Sequence, residues 1–198
     1  MAFPYWQFFI ALESDLDITT RYIECCEDNF NTYSVGYAQI ILSAGSEVDV
    51  VSKLLCDIVE PTNNAENINN YREILHSEYT LLHDLEILIP RYNLSFKPWQ
   101  IWKEGNNPDW WKLYNKVKHE RHNYYKEANL KNALLSISGL FCLVLYLYNK
   151  ELRANNLQPW TKLLTLNPDW NSRIRTDLRP GYILPEFRED IAVKIESL

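Results

Sequence analysis

Glycine is scarce, with five in 198 residues, too few for a fold rich in tight turns or for loops that cradle phosphate through bare backbone. Cysteine is confined to Cys25, Cys26, Cys56 and Cys142. The adjacent pair cannot close an ordinary strain-free bridge, and no spacing fits a metal site, so neither a disulfide framework nor a cysteine-held metal is expected. Cys56 and Cys142 lie in apolar helical contexts and read as small core residues. Positive charge is not in excess either. A net charge of −6 argues against a general nucleic-acid coat protein, because phosphate binding is dominated by cations. The longest apolar run, 133–148, is interrupted by serines and Gly139 and falls short of the ~20 residues that span a bilayer. The opening MAFPYWQFFIALESDLD has no basic segment and reaches an acid by residue 13, which makes a poor secretory signal. These absences lead to the expectation of a soluble, cytoplasmic protein without a membrane partner. There is no internal repeat and no low-complexity linker.

Hydrophobic side chains are plentiful, at 46% of residues, and aromatics reach 14%, with seven Trp and 13 Tyr. That supports one compact domain over 1–198, with its core at about 34–153 and a tail, 154–198, that wraps it. Four prolines, Pro159, Pro168, Pro180 and Pro185, forbid a long helix in the tail. Charge is unevenly spread. From Glu13 to Asp28 six acids face Arg21 alone, whereas from Lys112 to Lys131 six Lys and Arg side chains face only Glu120 and Glu127. A basic site on an acidic protein is therefore open.

The periodicity reads as all-α. Residues 3–12 form an apolar cover of undecided type, and Asp17–Asp28 reads as a weak helix weakened by the β-branched Ile18, Thr19 and Thr20. Ser34 is a suitable N-cap for a long helix to Val59, closed by Pro61 and an Asn-rich stretch. Glu47 lies between two apolar arcs of that helix, as a boundary side chain reaching water or a structural partner for Arg121. A shorter helix is expected from Asn67 to about His83. LEILIPRYNLSFKPW then fits a short β-hairpin or an extended excursion. Asn107 and Pro108 are expected to cap and open the next helix. Helices 108–128 and 129–153 are either continuous or broken near Asn129. The second is apolar almost all round, as the central helix of a bundle or the seam of a dimer would be.

The helix beginning NPDWWKLYNKVKHERHNYYKE concentrates the chemistry. On a helical wheel Trp110, Leu113, Val117 and Tyr124 fall on a core side with Arg121, while Lys112, Asn115, His119, His122 and Lys126 project opposite. Neutral imidazole accepts a proton and imidazolium donates one near neutral pH, so His119 and His122 are candidate acid–base groups. Asn115 would position substrate, and Lys112, Lys118 and Lys126 would engage phosphate as charge builds. Together they suit metal-free RNA cleavage by the ribose 2′-hydroxyl, ending in a 2′,3′-cyclic phosphate. Three blander readings compete. An ordinary solvated face can carry histidines; His119 and His122 could hold a metal, joined by His76 and His83, although nothing supplies a clear third ligand; and Trp110, Trp111 and Tyr114 could line a small-molecule pocket.

The succession of SVGYAQIILSAGSEVDVVSKLLC, WWKLYNKVKHERH and NALLSISGLFCLVLYLY resembles the HEPN superfamily over roughly Ser34 to Tyr148, and more narrowly bacterial proteins with a YNxxKHxR signature. The resemblance implies an up-and-down α-helical bundle, commonly homodimeric, whose polar motifs face a shared cleft. It also implies RNA binding or metal-independent endoribonuclease activity without a cofactor, in defence or toxin–antitoxin systems with a toxin or antitoxin partner. The family's usual arginine followed after four to six residues by histidine is absent here; Arg72 and His76 have only three residues between them. Its closest counterpart is Lys112, six residues, then His119, and lysine brings charge without the planar guanidinium fork. The competing expectation is a non-catalytic helical interaction module, a degenerate member of the same family.

Overall fold

The computed structural model describes residues 3–148 and 157–167. Most of them are helical. The α-helices are α1 (Pro4–Thr19), α2 (Val35–Val59), α3 (Ile68–Glu78), α4 (Asp109–Tyr124) and α5 (Leu130–Leu147). Three short strands, β1 (Ile87–Ile89), β2 (Leu94–Phe96) and β3 (Thr165–Leu166), make an antiparallel sheet in the order β2-β1-β3. Ile87 stands opposite Phe96 on one side and Leu166 on the other. The expected hairpin is therefore present, turned at Asn93 in the left-handed region (φ 52°), a conformation that asparagine tolerates better than most residues.

Helix α5 is the axis of the molecule and packs along α2. Apart from Lys131, Leu135 and Leu147, all its residues are buried. It is long and apolar enough to cross a membrane, yet most of its surface is covered by the rest of the protein. Side-chain caps start three helices. Ser34 Oγ accepts the Tyr37 N–H at 3.1 Å, Asn67 Oδ1 accepts the Asn69 and Asn70 N–H groups, and Asn129 Oδ1 accepts the Asn132 N–H. Each such cap is worth about 1 kcal/mol.

Several expectations need correction. The N-terminal segment is core rather than cover: α1 buries Trp6, Phe9 and Leu16 completely or nearly so, and the core thus begins well before residue 34. No helix runs from Asp17 to Asp28. Thr19 and Thr20 turn their hydroxyls onto the carbonyls of Leu16 and Asp17, both at 2.7 Å, and this local competition ends α1 at that point. Helix α3 stops at Glu78, short of His83. Asn107 does not cap α4, and Pro108 takes that position. The Asn107 amide instead accepts from Arg72 and donates to Asn69, each at 2.8 Å, tying α3 to the start of α4.

The chain does break before α5. Glu120 leaves helical geometry (φ −136°, ψ 42°), a 3₁₀ turn follows over Tyr125–Glu127, and Asn129 caps the new helix. The expected extension of α5 to Arg153 lies outside the described residues. Of the tail, 157–167 does lie against the bundle, donating to α1 and adding β3 to the sheet; 168–198 lies outside the described residues. All four cysteines are free, and Cys25, Cys56 and Cys142 are buried.

Candidate functional site

The position of α4 is set by two glycines. Gly45 of α2 lies directly beneath the Tyr114 ring, and a Cβ on Gly139 of α5 would stand 2.7 Å from the Trp110 ring. Missing side chains in the two central helices therefore make the beds for two aromatics of α4. Trp110 also donates from Nε1 to the Pro98 carbonyl at 2.9 Å. Trp110, Trp111, Tyr114 and Val117 are buried while Leu113 is half-exposed, so the core-facing arc is turned relative to the expected one, toward Trp111 and Tyr114.

With α4 so fixed, its far end borders a groove of about 630 Å³. Val117 and, from α2, Leu42 supply apolar surface there. Lys118, His119, Arg121 and His122 line the same groove and are exposed. Lys118 and His119 stand before the kink at Glu120 and Arg121, His122 and Tyr125 after it, so the groove gathers side chains from both sides of the kink. Among the described residues no carboxylate lines the groove. Two permanent cations and two imidazoles thus share one open surface, a local positive field on an acidic chain. Lys118 also carries its ammonium 5.5 Å above the Tyr114 ring, a cation–π contact that steadies it.

Tyr125 was missed in the sequence because it lies beyond the kink at Glu120, in the 3₁₀ turn, where a helical wheel does not place it. Its ring borders the groove and meets Tyr33 edge-on, with centroids 5.5 Å apart. Leu42 was missed because only tertiary packing brings α2 to this place.

Other candidates lie elsewhere. Lys112 pairs with Asp109 at 3.0 Å, and Asn115 donates to the Trp111 carbonyl at 3.0 Å; neither lines the groove. Lys126 is exposed in the 3₁₀ turn and also does not line it. Arg121 is not on the packing side. It is exposed, because regular helical geometry ends at Glu120 and the wheel no longer applies beyond it. Among the described residues no ion pair joins it to Glu47, a half-buried carboxyl whose pKa is raised by burial.

His76 and His83 meet each other, Nε2 to Nδ1, at 3.0 Å, with Asp84 3.4 Å from the far nitrogen of His83. Among the described residues no three His, Cys, Asp or Glu side chains converge as metal ligands. The buried thiols are not poised nucleophiles: burial pushes Cys25 up to about 11 and Cys56 up to about 12, which keeps both protonated at neutral pH. Trp110 belongs to a different depression from the histidines, and Trp111 and Tyr114 line neither. Comparison of the chain with protein-family models, with curated proteins and with solved structures finds no match.

Proposed function

We propose that the groove at the end of α4 binds RNA and cleaves it without a metal ion. The observation that carries this reading is the convergence of Lys118, His119, Arg121 and His122 on one carboxylate-free surface. Lys118 and Arg121 neutralise non-bridging phosphate oxygens, Arg121 through its planar fork. One of the two histidines takes the proton of the ribose 2′-hydroxyl as that oxygen attacks the adjacent phosphorus. The other donates a proton to the departing 5′-oxygen. The products are a 2′,3′-cyclic phosphate and a 5′-hydroxyl, with one proton taken up and one released. Tyr125, beside Tyr33, offers an aromatic edge to an unstacked base. The resemblance to the HEPN superfamily agrees with this chemistry and adds a homodimer in which two such grooves share a cleft; the openness of the groove to solvent suits that arrangement. Lys112 and Asn115, both tied to neighbours on their own helix, are not assigned catalytic roles.

The test is incubation of purified protein with RNA in chelator beside His119→Ala and His122→Ala. Cleavage by the wild type that falls by about 100-fold or more in each variant is expected for acid–base groups. Cleavage equal in all three, or absent from all, removes the nuclease reading.

The engagement of Lys112 with Asp109 and of Asn115 with Trp111 favours the second reading, a helical interaction module without catalysis. In that case His119→Ala lowers the melting temperature and disrupts self-association while RNA affinity is unchanged.

A further inference from the structure

A second groove, of about 560 Å³, opens beside the other half of α4 and shares no lining residue with the first. Pro98, Ile101, Trp110, Leu113 and Leu135 give it apolar surface. Two asparagines, Asn129 and Asn132, also line it although each is only 7% exposed. Their amide orientations are fixed by the protein. Asn129 Oδ1 accepts the Asn132 backbone N–H at 3.1 Å, which leaves its Nδ2 as the free end. Asn132 Nδ2 donates to the Glu127 carbonyl at 2.9 Å, which leaves its Oδ1 as the free end. The groove thus offers one donor and one acceptor three residues apart, both open to the groove rather than sealed in the core.

The start of α5 is not an anion site, since the Leu130 and Lys131 N–H groups are taken by the carbonyls of Thr32 and Phe30. Around the rim the carboxylates Glu104, Asp109 and Glu127 outnumber Lys97 and Lys131. This charge balance disfavours a phosphorylated ligand.

We propose that this groove binds the adenine ring of a neutral nucleoside. A ring nitrogen would accept from Asn129 Nδ2 and the exocyclic amine would donate to Asn132 Oδ1. A single amide group pairs with adenine through the same donor and acceptor, here divided between two asparagines, whereas the corresponding edge of guanine presents two acceptors. A purine covers more of the apolar surface than a pyrimidine does, and the groove has the size of a small-molecule site. The assignment is independent of RNA cleavage.

Titration calorimetry on the full chain tests it with adenosine, adenosine 5′-monophosphate and N6,N6-dimethyladenosine. Asn129→Asp keeps an oxygen to cap α5 but replaces the donor with an acceptor. Asn129→Ser keeps the cap and withdraws the amide donor from the groove without adding charge, since the shorter hydroxyl stays beside the backbone that it caps. Adenosine is expected to saturate the wild type, and both variants, with circular dichroism unchanged, are expected to weaken it about tenfold or more. Dimethylation, which removes the ligand's donor, should have a similar effect. The monophosphate should bind more weakly than adenosine, separating a free nucleoside from a nucleotide or an RNA end. Absence of saturable adenosine binding, wild-type affinity in both folded variants, or tighter binding of the monophosphate overturns the proposal.

Discussion

The Glu13 carboxylate, 1% exposed, accepts the backbone N–H of Leu164 at 2.9 Å across 151 positions of sequence. The same group accepts from Leu163 and Lys162, also at 2.9 Å. A buried carboxylate is costly unless its oxygens are satisfied, and here three backbone donors satisfy them while fixing the segment that leads into β3. Glu13→Ala is expected to lower unfolding stability by about 3 kcal/mol, since charged hydrogen bonds are lost and N–H groups are stranded. Urea denaturation checks this. Limited proteolysis should cut the variant near 162–164 before the wild type; equal stability and equal cleavage would show that Glu13 is not the clasp.

The beds under α4 make a second prediction. Gly45→Ala places a methyl group into the Tyr114 ring, and Gly139→Ala places one against Trp110. Overpacking of this kind costs about 1–3 kcal/mol. Both variants should denature at lower urea, and because α4 carries the histidines, RNA cleavage should fall even where the protein is fully folded. A variant of wild-type stability would mean that α4 can shift away at no cost.

His83 makes a pH prediction. It is 9% exposed and faces His76, Asp84 and Lys103. Burial lowers its pKa, the Asp84 carboxylate opposes that shift, and His76 and Lys103 add to it. The unfolded chain therefore binds a proton more readily than the folded one. The stability linked to this group is complete above the unfolded value of about 6.5 and is lost as pH falls toward the lower folded value. Urea midpoints measured between about pH 7 and pH 5 should decline less steeply for His83→Gln than for the wild type. Parallel declines would remove His83 as the source.

RNA affinity should depend on salt through the groove cations. Replacing Lys118 and Arg121 together by Ala is expected to reduce the slope of log affinity against log salt by about 1.4, near 0.7 for each phosphate contact on a single strand. Lys112→Ala, paired as it is with Asp109, should leave the slope unchanged. Equal slopes in the wild type and the double variant would place RNA elsewhere.

The sequence was most readable where periodicity and caps act locally. The α2 start at Ser34 and the burial of α5 follow from short-range signals, which also narrowed Pro90–Asn93 to a hairpin or an extended excursion but left the break before α5 open. It was least readable where distant backbone decides. Glu13 belongs to an acidic run that looks solvated, and nothing nearby reveals that residues 162–164 will donate to it. Arg121 was misplaced because a wheel assumes an unbroken helix, and Glu120 breaks it. His119 and His122 were legible as exposed titratable groups on α4. Their shared groove with Leu42 and Tyr125 was not, because it depends on two glycines in other helices setting the depth of α4.

The most direct measurement of the central claim is mass spectrometry of RNA ends after incubation with the protein in chelator. The account predicts fragments ending in 2′,3′-cyclic phosphate with matching 5′-hydroxyl ends, formed by the wild type and reduced by about 100-fold or more in His119→Ala and His122→Ala. Intact RNA in every sample, or the same fragments from the wild type and both variants, contradicts it.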